Sequence, residues 1–456
     1  MKRPRVVFCL ATIAAAGVPA VASAQAFGLN EIGTCATSRT AAVTAAPCAD
    51  ASTIFWNPGA ATNLRGVSVL VGASAIAVNG SFTTDVTNRK YAGNVPTSVP
   101  PGAFVNWRTT DRLALGLGVY VPYGLTSQWF NDFPGRFAAQ RASLASIYVQ
   151  PNIAYDVVPG RLSIGGGPIY GHSTVELKQS IDALSDPTTA PLLTAAGVTP
   201  GTEIGRARLN GSANGWGAHL GAYAHITPVL TVGVRYLTSI DFKYDDATAQ
   251  FSQTTTGFRI PLPTGGFALL DTIVAKNFAA GAPLAKQTGS THIKHPAQLQ
   301  FGIGFSGLPS TTLEADAAYF QWSQFNELPI SFSGGAPSRT IIEDYKNSWS
   351  YRFSAERRFA LGIAGRAGFS YAQTPAPDVT VTPLLPDMNR YNFGLGVGLP
   401  FGGRYALDAG YLRVETKGRR GRIVERTSET QTAEELNSGW YSLNANILSL
   451  SIKAQF

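Results

Sequence analysis

Five histidines are the side chains of this sequence best suited to metal binding or general base chemistry: His172, His219, His225, His292 and His295. His219 and His225 lie on one face of a predicted strand, but about 20 Å of extended chain separates them, too far for two ligands of one metal ion. A hydrolase built on a strand wall would also need a serine activated by a histidine, and no G-x-S-x-G nucleophile motif occurs. We therefore expect histidines in loops or facing a lumen, with no metal site, no cofactor and no enzymatic activity.

A G-x-G-x-x-G pattern at Gly302, Gly304 and Gly307 is the second chemical motif. Dinucleotide binding would require this pattern to open a helix, whose N-terminus holds the pyrophosphate. Here the pattern lies within a predicted strand that ends in a turn. We therefore expect these glycines to mark kinks or close backbone contacts.

The N-terminal residues have the features of a secretory signal. Lys2, Arg3 and Arg5 precede an apolar stretch too short to span a bilayer as a helix, and Ala22-Ser23-Ala24 gives an A-x-A cleavage site. We predict a signal peptide at 1–24. Its removal leaves Cys35 and Cys48, which we expect to form one disulfide in an exported protein.

The charge pattern does not indicate a nucleic-acid partner. The net charge of +8 falls to +5 when 1–24 is removed, because that segment has three basic residues and no acidic one. Basic residues cluster near the C-terminus without interleaved aromatics. This cluster is typical of a solvated loop, and contact with anionic surface glycolipid is the alternative; its residues are Lys417, Arg419, Arg420, Arg422 and Arg426.

In the segments that must position these residues, apolar and polar side chains alternate with a period of two. In the clearest case, apolar side chains on one face oppose polar ones on the other; the apolar set is Val232, Val234, Tyr236, Thr238, Ile240, Phe242 and Tyr244. Mean hydropathy is only +0.04, and no stretch after the signal is apolar enough for a transmembrane helix. The two remaining possibilities are a large soluble β protein and a membrane barrel.

The lengths of the connections favour the barrel. Short turns alternate strictly with seven long connections, as in an up-and-down barrel with long outer loops. We therefore predict an all-β fold, a 14-stranded antiparallel transmembrane β-barrel over 66–456. Its strands are placed near 66–82, 99–108, 112–122, 144–158, 161–180, 211–226, 229–253, 290–307, 311–326, 345–358, 361–373, 389–401, 404–415 and 438–456.

Residues 25–65 do not alternate, and we predict that they form an N-terminal hatch (plug). A 14-stranded barrel has a lumen wide enough to need filling. This segment carries the cysteine pair and an apolar group for packing, which includes Phe27, Phe55 and Trp56.

The chain resembles the FadL/TodX family of outer-membrane transporters for hydrophobic compounds over nearly its whole mature length. The resemblance rests on the order and spacing of eight fragments: AFGLNE at the mature start, STIFWNPGAATNL at 52–64, WGAHLGAYAHITPVLTVGVRYLTSIDFKY at 216–244, YFQWSQFNEL at 319–328, DYKNSWSYRFSAERRF at 344–359, TPAPD at 374–378, LPDMNRYNFGLGVGLPF at 385–401 and the closing ANILSLSIKAQF.

The resemblance implies a plugged 14-stranded barrel, an extracellular hydrophobic groove and sideways exit through a gap in the wall. The family's N-P-A signature falls on Asn57, Pro58 and Gly59, a small change that should keep the turn. The lysine that helps hold the carboxylate in fatty-acid-binding members falls on Pro329. The substrate is then an uncharged aromatic or alkane, unless a cation substitutes for that lysine; the candidates are Lys178, Arg206, Arg208 and Arg235.

An aromatic stretch around the third strand is either an interfacial girdle or the lining of the groove, for which we select Phe130 and Phe133. The substrate-binding residues predicted are these two together with Phe27, Phe55 and Trp56. We predict passive transport of long-chain fatty acids or aromatic hydrocarbons across the bacterial outer membrane by a monomer in contact with outer-membrane lipid and lipopolysaccharide. The alternative function is a general diffusion porin for polar solutes.

Overall fold

A computed structural model describes residues 26–85, 87–262, 265–421 and 438–456. The predicted signal at 1–24, the start of the mature chain at Gln25, and Arg422 and Arg426 lie outside the described residues. The strands are β1 (Val67–Thr84), β2 (Lys90–Ala92), β3 (Pro101–Arg108), β4 (Leu113–Gln128), β5 (Arg141–Val158), β6 (Leu162–Asp182), β7 (Glu203–Thr227), β8 (Leu230–Leu237), β9 (Ile240–Gln253), β10 (Arg259–Pro261), β11 (Phe267–Leu269), β12 (Gln287–His295), β13 (Gln298–Leu308), β14 (Thr311–Phe320), β15 (Glu327–Phe332), β16 (Arg339–Ile342), β17 (Ser348–Arg358), β18 (Ala364–Ala372), β19 (Arg390–Phe401), β20 (Tyr405–Thr416), β21 (Arg419–Arg420) and β22 (Gly439–Gln455).

Fourteen of these strand positions form a closed antiparallel barrel, as predicted. Each barrel strand pairs with the next along the chain, and β22 closes the barrel on β1 from Ser68↔Gln455 to Thr84↔Gly439. Two barrel strands are interrupted: β8 and β9 form one position, and β12 and β13 form another. Closure leaves no open sheet edge in lipid, where unpaired backbone groups would be costly.

Near the C-terminus, alternation places apolar side chains outside and small polar ones inside. In β22, Leu448, Leu450 and Ile452 are 62%, 59% and 54% exposed, whereas Ser449 and Ser451 are buried. The closing strand therefore turns an apolar face outward, as a strand in lipid requires.

The single apolar face predicted from Val232 to Tyr244 is wrong. Tyr236 faces outward, but Ile240, Phe242 and Tyr244 are buried inside the barrel. The chain leaves strand geometry at 238–239, between β8 and β9, and this irregularity reverses which side chains point inward. A strict period of two across such a break therefore assigns the second half to the wrong face.

The connections also differ in detail from the prediction. The strand expected at 311–326 ends at Phe320, and residues 322–332 form a helical turn and the short β15. The strand expected at 211–226 begins eight residues earlier, at Glu203. The connections contain α1 (Thr34–Ser38), α2 (Thr53–Trp56), α3 (Ala190–Ala195), α4 (Leu270–Ala275) and 3₁₀ turns at Pro58–Asn63, Pro134–Phe137, Lys276–Phe278, Trp322–Gln324, Ala360–Gly362 and Asp378–Thr380. None of the helices among the described residues is long and apolar enough to cross a membrane.

The N-terminal segment, residues 26–64, contains α1 and α2 and is almost wholly sequestered. All of its residues except Ala49 and Asn63 are buried or half-buried. It contacts several sides of the barrel: the backbone of β4 and β7, and inward-facing side chains of β5, β14 and β17.

Candidate functional site

A disulfide and one asparagine shape the N-terminal segment. Cys35 on α1 is bonded to Cys48, which confirms the predicted pair. The Asn57 side chain accepts from the Gly59 amide at 3.1 Å and donates to the carbonyl oxygens of Thr44 at 2.8 Å and Ala222 at 3.0 Å. The predicted motif residues therefore tie the segment to itself and to β7.

Gly59 lies directly against the barrel wall. A Cβ at this position would lie 2.7 Å from the carbonyl oxygen of Gly221, closer than real Cβ contacts allow. A residue without a Cβ therefore fits this close approach to the wall.

Two carboxylates on β14 hold the middle of the N-terminal segment. Glu314 accepts from Arg39 at 2.9 Å and from the Ala45 amide at 2.5 Å. Asp316 accepts from the Thr44 hydroxyl at 2.8 Å and from the amides of Val43 and Thr44. Charge-assisted bonds of this kind are stronger than neutral ones, so they fix the segment against this wall.

A buried arginine on β8 joins the segment to the neighbouring strands. The Arg235 guanidinium lies 4.7 Å from the ring centre of Phe55 and 5.2 Å from that of Trp56. It also donates to Gln298 and Gln300 on β13 at 3.0 Å each. Arg235 is therefore committed to packing and polar contacts deep in the barrel.

Phe27 lies at the centre of an aromatic cluster. Its ring centre is 4.7 Å from that of Trp322, 5.2 Å from Phe325, 5.6 Å from His295 and 5.9 Å from Tyr123. All five side chains are buried. The start of the described chain is thus packed against three separate parts of the barrel interior.

The wall is interrupted beside this start. The β3–β4 ladder ends at Ala103↔Val119, and the β4–β5 register shifts between Tyr120 and Tyr123. At that point β4 pairs with the N-terminal segment, since Gly124 donates to the Phe27 carbonyl oxygen at 2.8 Å.

A small cavity lies at this interruption. Its lining includes Glu31 and Gly33 of the N-terminal segment, Pro101 and Gly102 of β3, and Tyr120 of β4. Burial raises the pKa of the Glu31 carboxyl to about 7. The interruption therefore brings a titratable group of the segment next to the lipid-facing wall.

A cavity of about 880 Å³ lies near the outer end of the long strands. It is enclosed by β5–β7, β9 and the connections that carry α3, α4, β15 and β16. Its walls are mostly apolar and include Leu177, Ile181, Leu193, Ile204, Leu209, Phe251, Ile260, Leu270, Ile273, Val274, Leu284, Ile330 and Phe332. Arg141, Lys178, Arg208, Lys276 and Arg339 also border it, so an apolar interior is combined with cations.

The structure separates the residues predicted for substrate binding. Phe130 is 50% exposed and lines an open outer cleft. Phe133 is fully buried, stacked on Trp129 at 4.3 Å and edge-on to Phe82 at 5.3 Å. Neither borders the large cavity; Ala138 and Ala139, farther along the same connection, do.

The four cations proposed to substitute for the family's lysine also lie at different sites. Lys178 and Arg208 border the large cavity, and Arg206 lines only the outer cleft. Arg235 is buried in the contacts described above. Pro329, where the resemblance places the lysine of fatty-acid-binding members, lies in the short strand β15.

Sequence reasoning missed the carboxylates of β14 and most of the cavity wall. Glu314 and Asp316 could have been found from the sequence. Both occupy the polar positions of an alternating strand, and these positions point inward. The cavity residues of the connections 183–202 and 254–286 had no such signal, because an irregular connection has no period that assigns a side chain to one face.

The sequence profile of the outer membrane protein transport protein family (OMPP1/FadL/TodX) matches residues 15–456. The chain belongs to this family. It is therefore an outer-membrane transport protein and not an enzyme, and the predicted family and location are confirmed.

Its relatives are distant in sequence but match along most of their length. The 47 kDa outer membrane protein of Pasteurella multocida is 24% identical over 436 residues, covering 95% of this chain and 96% of the relative. The long-chain fatty acid transport protein of Escherichia coli K12 is 22% identical over 418 residues, covering 87% and 89%.

Two solved structures share the fold. A Pseudomonas aeruginosa FadL homologue superposes with a TM-score of 0.76 at 20% identity and covers 94% of this chain and 100% of its own. The toluene transporter TodX of Pseudomonas putida gives a TM-score of 0.68 at 14% identity, covering 94% and 99%.

Proposed function

We propose that this protein carries hydrophobic molecules passively across the outer membrane. This proposal rests on the cavity of about 880 Å³, which has apolar walls and lies near the outer end of the strands. An apolar solute gains about 0.8 kcal/mol for each CH₂ group removed from water, so such a cavity captures it without coupled energy.

The substrate is a long-chain fatty acid rather than a small neutral hydrocarbon. The cavity has room for an extended acyl chain, and five cations border it. An Arg or Lys beside an apolar wall suits a molecule with one carboxylate. Support also comes from the relative named as a long-chain fatty acid transport protein, whereas TodX is named as a toluene transporter.

The N-terminal segment acts as the hatch of this pathway. Its burial and its bonds to Glu314, Asp316 and β7 support a plug that closes the lumen to water and ions. Transport then requires it to rearrange locally. The domain boundaries that go with this role are a signal at 1–24, a hatch at 25–65 and a barrel at 66–456.

Release is lateral, through the interruption between β3 and β4. A sideways route spares the solute an aqueous passage on the periplasmic side. The small cavity beside Gly102 and Tyr120 supports an exit at this position. Phe27 and Phe55 contribute apolar surface along the way from the outer cavity, and Phe130 contributes to capture at the surface.

Equilibrium binding tests the capture site. Oleate and toluene are titrated into detergent-folded protein and into the variant Ile273→Glu, which puts a carboxylate on the cavity wall. We expect oleate to bind the wild type more tightly than toluene and to bind the variant at least about 10-fold more weakly. The control is Ile342→Glu, at a residue that is 58% exposed and does not border the cavity. Equal oleate affinity in all three proteins contradicts the assignment.

Uptake by cells tests the exit. Gly102→Trp places a large ring in the small cavity, whereas Ala103→Trp places the same ring on the opposite face of β3, towards lipid. We expect oleate uptake to fall only in Gly102→Trp. Single-channel conductance then separates this function from a porin, since a plugged barrel conducts ions poorly and an open porin conducts them well.

A further inference from the structure

A row of polar and basic residues crosses five strands in exact register on the outside of the barrel. Gln128, Arg141, Lys178, Arg208 and Gln250 are consecutive cross-strand partners from β4 to β7 and on to β9. Their neighbours Leu177, Leu209 and Phe251 pack inside the barrel, so alternation turns the row outward.

The charge of this row is not balanced. Three cations are direct neighbours, an arrangement that is unfavourable without an anion between them. Glu176 is the carboxylate that contacts all three, with distances of 2.8 Å to Arg141, 3.1 Å to Lys178 and 2.7 Å to Arg208. The side chains of Lys178 and Arg208 remain 38% and 46% exposed. Two positive charges are therefore left in excess at the surface.

The height of the row above the membrane limits what can bind there. On these strands the outward apolar side chains end at Ile147, Tyr170 and Trp216. The row lies six residues farther out than Ile147 along β5, which is roughly 15 Å above the apolar band at a tilt of about 40°. This height is that of the sugar and phosphate groups of the outer-leaflet glycolipid, beyond its acyl chains.

The space outside the row is a cleft of about 970 Å³. Polar side chains complete it and offer further hydrogen bonds; they include Asn94, Asn131, Arg206, Ser252 and Lys286. A phosphate group suits such a set of Arg and Lys side chains, since Arg offers two parallel donors.

We propose that the row Arg141–Lys178–Arg208 is a binding site for phosphate groups of lipopolysaccharide on the outer face of the barrel. This site differs from the proposed fatty-acid cavity, although the three cations touch the edge of both. The glycolipid is favoured because the exposed faces of Lys178 and Arg208 point away from the lumen. The charged head of a fatty acid is the competing occupant.

The test uses protein refolded in detergent without lipopolysaccharide and follows Tm as purified rough lipopolysaccharide is added. We compare the wild type with Lys178→Gln/Arg208→Gln, in which Glu176 keeps Arg141 as its partner. The control Arg112→Gln/Arg161→Gln removes two charges from the short turns at the opposite end. We expect the double variant to need about 10- to 30-fold more lipopolysaccharide for the same shift in Tm, with no change in the control.

Three results would overturn the proposal. The first is an equal response of the double variant and the wild type, and the second is an equal loss in the control. The third is a full response to lipopolysaccharide stripped of phosphate. Oleate binding is measured on the same samples: weaker oleate binding with unchanged lipopolysaccharide response would assign the cations to the cavity instead. Failure of the fatty-acid proposal alone leaves the lipopolysaccharide result intact.

Discussion

The side-chain amide of Asn57 donates a hydrogen bond to the carbonyl oxygen of Ala222 on β7, 3.0 Å away. The same nitrogen donates to the Thr44 carbonyl oxygen at 2.8 Å, while the side-chain oxygen accepts from Gly59. One fully buried residue thus joins two turns of the hatch to the barrel wall. Only a side chain with both a donor and an acceptor can make this set of bonds.

Asn57→Asp should loosen the hatch without unfolding the barrel. Aspartate keeps the shape but loses both donors and buries a carboxylate, at a cost of about 2 to 4 kcal/mol. We expect more frequent channel openings in single-channel recordings and faster hydrogen exchange in residues 41–60. The same substitution at the exposed loop residue Asn88 should change neither; openings unchanged in Asn57→Asp would argue against a closing role for this contact.

Gly59→Ala should also release the hatch, through crowding rather than lost bonds. The new methyl group would meet the Gly221 carbonyl oxygen at 2.7 Å, and relief by backbone movement costs about 1 to 3 kcal/mol. Limited proteolysis should cut the variant within the hatch at protease levels that spare the wild type. Gly102→Ala is the matched control, because its nearest neighbour is Phe104 at 3.4 Å, an ordinary contact.

The barrel could be predicted from sequence because its physical rule is local and repeated. A strand in lipid must alternate, and a closed barrel must alternate short and long connections, so even the weak pattern of each strand adds up over fourteen strands. The prediction failed where that rule is broken: the irregularity at 238–239 puts Phe242 and Tyr244 inside, against the parity of Tyr236.

The candidate site was less predictable because it depends on contacts between distant parts of the chain. Phe27 and Trp56 were selected as apolar residues in a segment without alternation, and both are buried. The local sequence does not distinguish Phe130, which is exposed, from Phe133, which packs against Phe82 of β1. Much of the cavity wall comes from connections without a period, so only the folded chain reveals it.

Reduction of the Cys35–Cys48 bond should destabilise the hatch alone. The bond closes a loop of 13 residues, for which the chain-entropy model gives about 3 kcal/mol. In Cys35→Ser/Cys48→Ser, we expect residues 26–64 to exchange amide hydrogens faster while the β-sheet circular dichroism and its thermal transition stay the same. Full protection of the hatch in the reduced protein would show that its contacts with Glu314 and Asp316 suffice.

Glu343, in the connection after β16, should make the outer loops sensitive to pH. Burial raises the pKa of its carboxyl from 4.5 to about 8, with Tyr345 beside it. The folded loop therefore binds the proton more tightly than the unfolded one. Its contribution to stability is complete below pH 4.5 and is lost as the pH rises towards 8, on the order of a few kcal/mol in total.

Glu343→Gln mimics the protonated carboxyl and should abolish this dependence. Hydrogen exchange in residues 326–347 of the wild type should accelerate between pH 5 and 8 beyond the intrinsic rate, whereas the variant should follow the intrinsic rate. At pH 8 the variant loop should be the better protected of the two. Glu327→Gln, at an exposed residue of the same connection, should behave as the wild type does; parallel profiles for all three proteins would exclude Glu343 as the titrating group.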